Sequence, residues 1–182
     1  MLRVIGGIYK SRKIKEVKSS KTRPTTDKNK EVLFNTLGQF FDGGRMLDLF
    51  SGSGAIGIEA ISRGIDMVDF IENSNVAIKT IKENLDLLGI NHGVNIIKHD
   101  AFRYLNNTET KYDLIFADPP YALNKYDELI EVIHSRQLLA KGGIIVFEAD
   151  KSYQFIDKYE NLVKYKEKNL GNSKFAFYEM ED

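Results

Sequence analysis

The 182-residue chain predicts an α/β domain built on a mostly parallel sheet. Three observations carry that prediction. Five short apolar runs alternate with segments of helical periodicity between residues 46 and 148. A glycine-rich turn follows the first run and opens a helix. Past residue 160 the pattern changes to two strand-like runs about Gly171-Asn172, the signature of an antiparallel hairpin at the sheet edge.

Each element has its own signals. Leu2, Val4, Ile8, Ile14 and Val17 alternate among basic residues, which predicts a short hairpin turning at Gly6-Gly7 or over residues 10–12. Residues 18–24 are a polar link closed by Pro24, which biases Arg23 towards extended geometry. Thr25-Thr26-Asp27 cap a helix to about Leu37, with Val32, Leu33 and Leu37 on one face and Gly38 as the stop. A strand over 46–50 leads to a helix over 54–63, ended by Gly64. A second strand spans 67–72. Asn73 or Ser74 then caps a helix whose Ile78, Ile81, Leu85 and Leu88 fall at helical spacing. A third strand (94–98), a short helix (102–105), a fourth strand (112–117), a helix (125–139) and a fifth strand (143–148) complete the alternation, and the hairpin strands run over 162–168 and 174–180. Residues 1–22 read as a basic arm and 23–182 as the domain proper.

Composition removes several classes of function. No cysteine is present, so there is no disulfide framework, cysteine-based zinc site or thiol nucleophile. Three scattered histidines do not suggest a metal cluster, and no metal is expected. No apolar run approaches the roughly 18–20 residues of a membrane helix, and residues 1–10 lack a secretory h-region, so no membrane association and a cytoplasmic location are expected. Net charge is zero, but residues 1–30 hold ten Lys/Arg against two acids, leaving −8 on the remainder. A basic arm on an acidic body suits a polyanionic partner.

In parallel sheets ligands sit beyond the C-terminal strand ends, so the residues just after Phe50, Glu72, Lys98 and Ala117 are the ones to read for chemistry. Asp48-Leu49-Phe50-Ser51-Gly52-Ser53-Gly54-Ala55-Ile56-Gly57 satisfies G-x-G-x-x-G, and Glu72 ends the next strand, where it can accept ribose hydroxyls. Asp48 separates two adenosine ligands. A carboxylate four residues before the first glycine opposes a pyrophosphate and favours an ammonium group, so S-adenosyl-L-methionine is expected rather than NAD. Asp100 either accepts from an adenine amine, with the Ala101 N–H facing the ring, or caps a helix.

The fourth strand ends in Asp118-Pro119-Pro120-Tyr121. An exocyclic amine of a nucleobase is a poor nucleophile because its lone pair is delocalised. Two acceptors on its two N–H groups favour tetrahedral nitrogen and aim the lone pair. The Asp118 carboxylate and the Pro119 carbonyl can serve, the prolines fix the turn, and Tyr121 can stack on the base.

Asp48–Gly57 with Asp118–Tyr121 resembles the class I S-adenosylmethionine-dependent amino-methyltransferases with an (Asn/Asp)-Pro-Pro-(Tyr/Phe) motif. Together with Arg3-Val4-Ile5-Gly6-Gly7 and Arg23-Pro24-Thr25-Thr26-Asp27, the chain more narrowly resembles the bacterial RsmD family over essentially its whole length. The resemblance implies a Rossmann-like methyltransferase fold: a mostly parallel seven-stranded sheet, an antiparallel C-terminal hairpin and a small basic N-terminal β-hairpin. It implies methyl transfer to the N2 amine of a guanine in 16S rRNA, within a small-subunit assembly particle. Asp48, Ser51, Gly52, Gly54, Glu72, Asp100 and Ala101 would bind the cofactor. Asp118, Pro119 and Tyr121 would hold the target, and Arg3, Lys10, Arg12, Lys13 and Arg23 would contact RNA, with Arg23-Pro24-Thr25 bordering cofactor or RNA. Competing readings are a DNA amino-methyltransferase, an NAD oxidoreductase and a non-catalytic RNA-binding module. The arm and the glycine loop occupy different parts of the chain, so removal of residues 1–20 is expected to spare cofactor binding.

Overall fold

The computed structural model describes residues 2–18 and 25–182, and Arg23 of the expected RNA-contact set lies outside them. The elements in chain order are β1 (Leu2–Arg3), β2 (Lys13–Ile14), α1 (Asp27–Leu37), β3 (Arg45–Leu49), α2 (Ala55–Ser62), β4 (Met67–Glu72), α3 (Asn75–Leu88), β5 (Val94–Lys98), α4 (Ala101–Asn107), β6 (Tyr112–Ala117), α5 (Tyr126–Ser135), β7 (Leu139–Asp150), β8 (Lys158–Tyr159), β9 (Leu162–Asn169) and β10 (Ser173–Met180). Eight strands form one sheet in the order β5-β4-β3-β6-β7-β10-β9-β8, and β1 pairs with β2 separately. The ladders among β3 to β7 are parallel, while β10 pairs antiparallel with β7 and β9 antiparallel with β10. The sheet exceeds the expected seven strands by the two-residue β8, which pairs with β9. Strand order reverses between β3 and β6, and that switch point opens the crevice of the site. No helix among the described residues is long and apolar enough to cross a membrane.

The caps follow the sequence signals. The side chains of Thr26 and Ser74 accept from the N–H of Asn29 and Ala77, and Gly38 and Gly89 close α1 and α3 in left-handed conformation. The helix expected to reach residue 139 ends at Ser135, because Gln137 turns to φ 55° and Leu139 pairs with Tyr112 as the start of β7.

Strand side chains alternate between two cores. Met46, Val68, Phe70, Leu114, Phe116, Val146 and Phe175 face α1, α2, α3 and the N-terminal hairpin. Leu47, Ile71, Ile115, Ala117, Ile145 and Phe147 face α4 and α5. Leu2, Val4 and Ile14 of the basic arm belong to the first core. The arm is clamped to α2 by polar contacts as well. Glu59 accepts from the N–H groups of Ile5 (3.1 Å) and Gly6 (2.9 Å), and Ser62 donates to Gly6 O and accepts from Tyr9 N–H. A Cβ on Gly7, at φ +77°, would stand 1.8 Å from Ser62 O, so only glycine lets the arm lie against α2.

Candidate active site

Asp48, Glu72, Asp118 and Glu148 fall on one face of the sheet near the C-terminal ends of β3, β4, β6 and β7. Each lies two residues beyond Met46, Phe70, Phe116 and Val146 of the first core, and the period-2 alternation puts them on that same side. Ala117 pairs with Phe147, so Asp118 and Glu148 are the next neighbours along two adjacent parallel strands. Among the described residues, no lysine or arginine forms an ion pair with any of these four acids.

The glycine loop is tightly pinned. Phe50, Gly52 and Gly54 adopt φ of 57°, 57° and 81°. The Ser51 hydroxyl donates to Asp48 O (2.5 Å) and Ile71 O (3.2 Å), and Gly54 N–H donates to Ser51 O (2.8 Å). At Gly57 a Cβ would lie 2.4 Å from the Phe70 ring, so glycine is needed for α2 to pack on β4. At Gly52 a Cβ would meet nothing within 4 Å, and the loop backbone there borders open space.

Asp48 lies beneath this loop, 2% exposed, accepting from Gly57 N–H at 3.2 Å. Burial and then the nearby Glu72 charge push its carboxyl well above the usual range. Glu72 is half-buried at the rim. Its Oε2 accepts from Gly52 N–H (2.8 Å) and its Oε1 from Asn73 and Ser74 N–H (3.0 and 3.1 Å). Three of its roughly four lone-pair sites are thus taken, so accepting both hydroxyls of a ribose would release one of these bonds. Beside Glu72 a cavity of about 490 Å³ is lined by Asn73, Lys98, His99, Asp100 and Arg103. Asp100 is the α4 N-cap, accepting from Arg103 N–H at 3.0 Å, and Ala101 is the buried first residue of that helix. The capping alternative therefore describes Asp100 in this state, at the wall of the cavity.

The Asp118-Pro119-Pro120 turn leaves β6 into a 3₁₀ turn, Tyr121–Leu123, where Leu123 N–H donates to Pro120 O (2.9 Å). The side chain of Tyr121 lies outside the described set. Pro119 is buried, and Asp118 keeps part of its surface exposed while its carboxyl points inward. Burial, the Glu148 charge and the Asp48 charge raise the Asp118 carboxyl well above its ordinary value. Glu148 is 6% exposed. Its Oε1 accepts from the Ser173 hydroxyl at 3.2 Å, and its Oε2 is buried with no hydrogen-bond partner among the described residues. Burial pushes it up to about 7, against the lowering effect of the Ser173 bond. Sequence reasoning misses Glu148 because it ends the fifth strand, whereas the motifs follow the first four. The signal that could find it is an acid directly after the apolar run Ile144-Ile145-Val146-Phe147.

The arm's cations divide into two kinds. Lys10 and Lys13 are exposed. Arg3 pairs with Asp27 (2.7 Å), and Arg12 donates to Leu87 O (2.8 Å) in the last turn of α3. Lys30, counted with the arm's charge in the sequence, is wholly buried against Glu59, and burial lowers its pKa.

Residues 2–179 match the family model described as Conserved hypothetical protein 95. The chain is 41% identical over 180 residues to YlbH of Bacillus subtilis, covering 97% of this chain and 98% of that one. It is 35% identical over 166 residues to the ribosomal RNA small subunit methyltransferase D of Buchnera aphidicola, covering 91% and 86%. The solved structure of yhhF from Escherichia coli superposes with a TM-score of 0.85 at 29% identity, over 99% of this chain and 98% of that one. The hairpin on α2, the glycine loop and the prolyl turn all lie within the matched span, and the chain belongs to that family, the RsmD family, with the fold of a class I methyltransferase.

Proposed function

We propose that this enzyme transfers a methyl group from S-adenosyl-L-methionine to the exocyclic N2 amine of a guanine in 16S ribosomal RNA, in the cytoplasm and within a small-subunit assembly particle. The observation that carries this reading is the set of four carboxyl groups around the switch point, without a paired cation among the described residues, next to a prolyl turn. Such a crevice repels a pyrophosphate and fits a ligand bearing positive charge. The membership of the RsmD family supports the reading independently.

When bound, S-adenosyl-L-methionine supplies a methyl group on a positively charged sulfur. Asp48 holds the ammonium end through the glycine loop in this reading. A cation there lowers the carboxyl's raised pKa, so cofactor binding releases a proton and tightens as pH rises. Glu72 meets the ribose and the Asp100–Ala101 helix start meets the adenine. Asp118 and the Pro119 carbonyl accept the two N2–H bonds of the target. They draw nitrogen towards tetrahedral geometry, and their hold strengthens as nitrogen becomes cationic. Asp118, with its raised proton affinity, then takes the proton that N2 sheds. Tyr121 stacks on the base, and the exposed Lys10 and Lys13 meet phosphates.

The test is tritium transfer from labelled cofactor to small-subunit RNA or particles, with nucleoside mass mapping of rRNA from cells with and without the protein. N2-methylguanosine lost at one position supports the reading. A methylated adenine or cytosine, or no transfer, overturns it.

A further inference from the structure

Glu148 raises the proton affinity of the Asp118 carboxyl but meets no substrate group in the chemistry described above, and its surroundings leave an acceptor unspent. It stands one strand over from Asp118 at the same level of the sheet, on the same face. Its Oε1 is held by Ser173, and its Oε2 is the buried side-chain oxygen left without a partner among the described residues. A buried acceptor without a donor is costly, and such groups persist where a ligand completes them.

The chemistry of the target edge identifies the missing donor. An amine held by Asp118 and Pro119 carries a ring nitrogen beside it. In guanine two ring nitrogens flank the amine, the bare N3 and N1–H, and N1–H is a donor. In adenine and cytosine the ring nitrogen next to the amine is a bare acceptor, whose lone pair a carboxylate repels. Resting on the function proposed above, we infer that Glu148 is a specificity residue: its free Oε2 accepts the N1–H of the target guanine while Asp118 and Pro119 accept the N2–H pair.

The three acceptors then match three N–H donors of guanine, N1–H and one N2–H on its Watson–Crick edge and the second N2–H beside N3, and hydrogen bonding to that edge is how enzymes read a base taken out of the stack. The charges around the pair agree. Asp118 faces Glu148 from β6 and Asp48 from β3, Ser173 faces Glu148 from β10, and burial raises both carboxyls. N–H donors from the base favour the ionised forms, so docking of guanine draws protons off the pair, whereas a bare ring nitrogen favours the protonated form, and the preference for guanine is therefore larger on the alkaline side.

The analogue that removes this contact is 2-aminopurine, which keeps the 2-amine but has a bare N1 and no O6, so the response to Glu148→Gln is what isolates the N1 contact. Small-subunit RNA carrying guanine or 2-aminopurine at the methylated position is compared in single turnover, with the wild type and with Glu148→Gln. The side-chain amide keeps the shape and the Ser173 bond and can donate to a bare N1. Wild type is expected to prefer guanine by on the order of 10³ or more, since a site built around a substrate N–H rejects the analogue lacking it. Glu148→Gln is expected to lose rate on guanine, gain on 2-aminopurine, and bring the two within about tenfold. Calorimetric binding of S-adenosylhomocysteine to the variant reports that its fold is intact. A guanine preference unchanged by Glu148→Gln, or equal wild-type rates on the two bases, overturns the inference. Failure of wild type to methylate the guanine RNA overturns the proposed function instead.

Discussion

Glu59 and Glu148 are both buried carboxylates, and their surroundings could hardly differ more. Glu59 accepts from two backbone N–H groups of the arm, from Arg63 Nε at 3.0 Å, and lies 3.5 Å from Lys30 Nζ. Lys30 Nζ also donates to Arg3 O. Glu148 has one hydroxyl donor and a second carboxyl for a neighbour. The first arrangement is saturated and closed to ligands. The second leaves acceptor capacity unspent, at a cost in stability that an apolar core has no reason to bear. Charge provision thus separates the saturated acid from the one proposed to meet a substrate where burial alone does not.

The sharpest way to break the comparison is to neutralise the saturated acid. Glu59→Gln strands Lys30 and Arg63 without their counter-charge and weakens the anchor of the arm. Removing one partner of such a buried group costs about 3–5 kcal/mol. Urea denaturation at neutral pH is expected to show a loss of that size. A change under about 1 kcal/mol, the range of an exposed ion pair, would mean that the knot is not what holds the arm.

The next effect is in rate rather than stability. Asp118→Ala is expected to slow single-turnover methyl transfer by on the order of 10²–10³, about 3–4 kcal/mol of barrier, with cofactor affinity nearly unchanged. Asp118→Asn, whose amide oxygen still accepts, retains more. A near wild-type rate for Asp118→Ala would reduce Asp118 to a turn residue.

Glu148→Gln tests the same contrast by its sign. A carboxyl whose folded pKa is raised from 4.5 to about 7 destabilises the fold progressively as pH climbs through that interval, and fully above it. The glutamine variant is therefore expected to be more stable than wild type at about pH 8, by on the order of 2 kcal/mol, and equal to it near pH 4. Denaturation at the two pH values reads this directly. Equal stability at both would show that burial does not hold the carboxyl up.

Local patterning explains why so much of the molecule is legible in the sequence. Strand alternation, caps at Thr26 and Ser74 and the glycine spacing are short-range signals, and each appears where the residues place it. The strand-end acids Asp48 and Glu72 are readable because they sit at fixed offsets from a recognisable turn. What stays hidden depends on pairing across the sheet or between layers. Glu148 becomes notable only once β7 lies beside β6, and Lys30 changes from a tail charge to a core group only once α1 covers α2. The arm is the clearest case. Its charge makes it look like an appendage, but Leu2, Val4 and Ile14 complete the first core, and α2 holds the arm with Glu59 and Ser62 while its N-terminal end closes the glycine loop.

That connection sets the design of the smallest test. Deleting residues 1–20 removes two N–H donors from Glu59 and three core side chains, so a loss of cofactor binding in that truncation would report unfolding rather than a direct role of the arm. The exposed cations isolate the RNA term. Lys10 and Lys13 are exposed, whereas Arg3 and Arg12 hold Asp27 and Leu87. Lys10→Ala with Lys13→Ala is expected to leave stability within about 0.5 kcal/mol of wild type, as for surface substitutions generally. For every lysine–phosphate pair removed, the slope of log affinity for RNA against log salt should fall by about 0.7–0.9, because fewer counterions are released on binding. Fluorescence titrations of small-subunit RNA at several salt concentrations give that slope. A double variant with an unchanged slope would show that these two lysines meet solvent alone, and that the polyanion is engaged from another face.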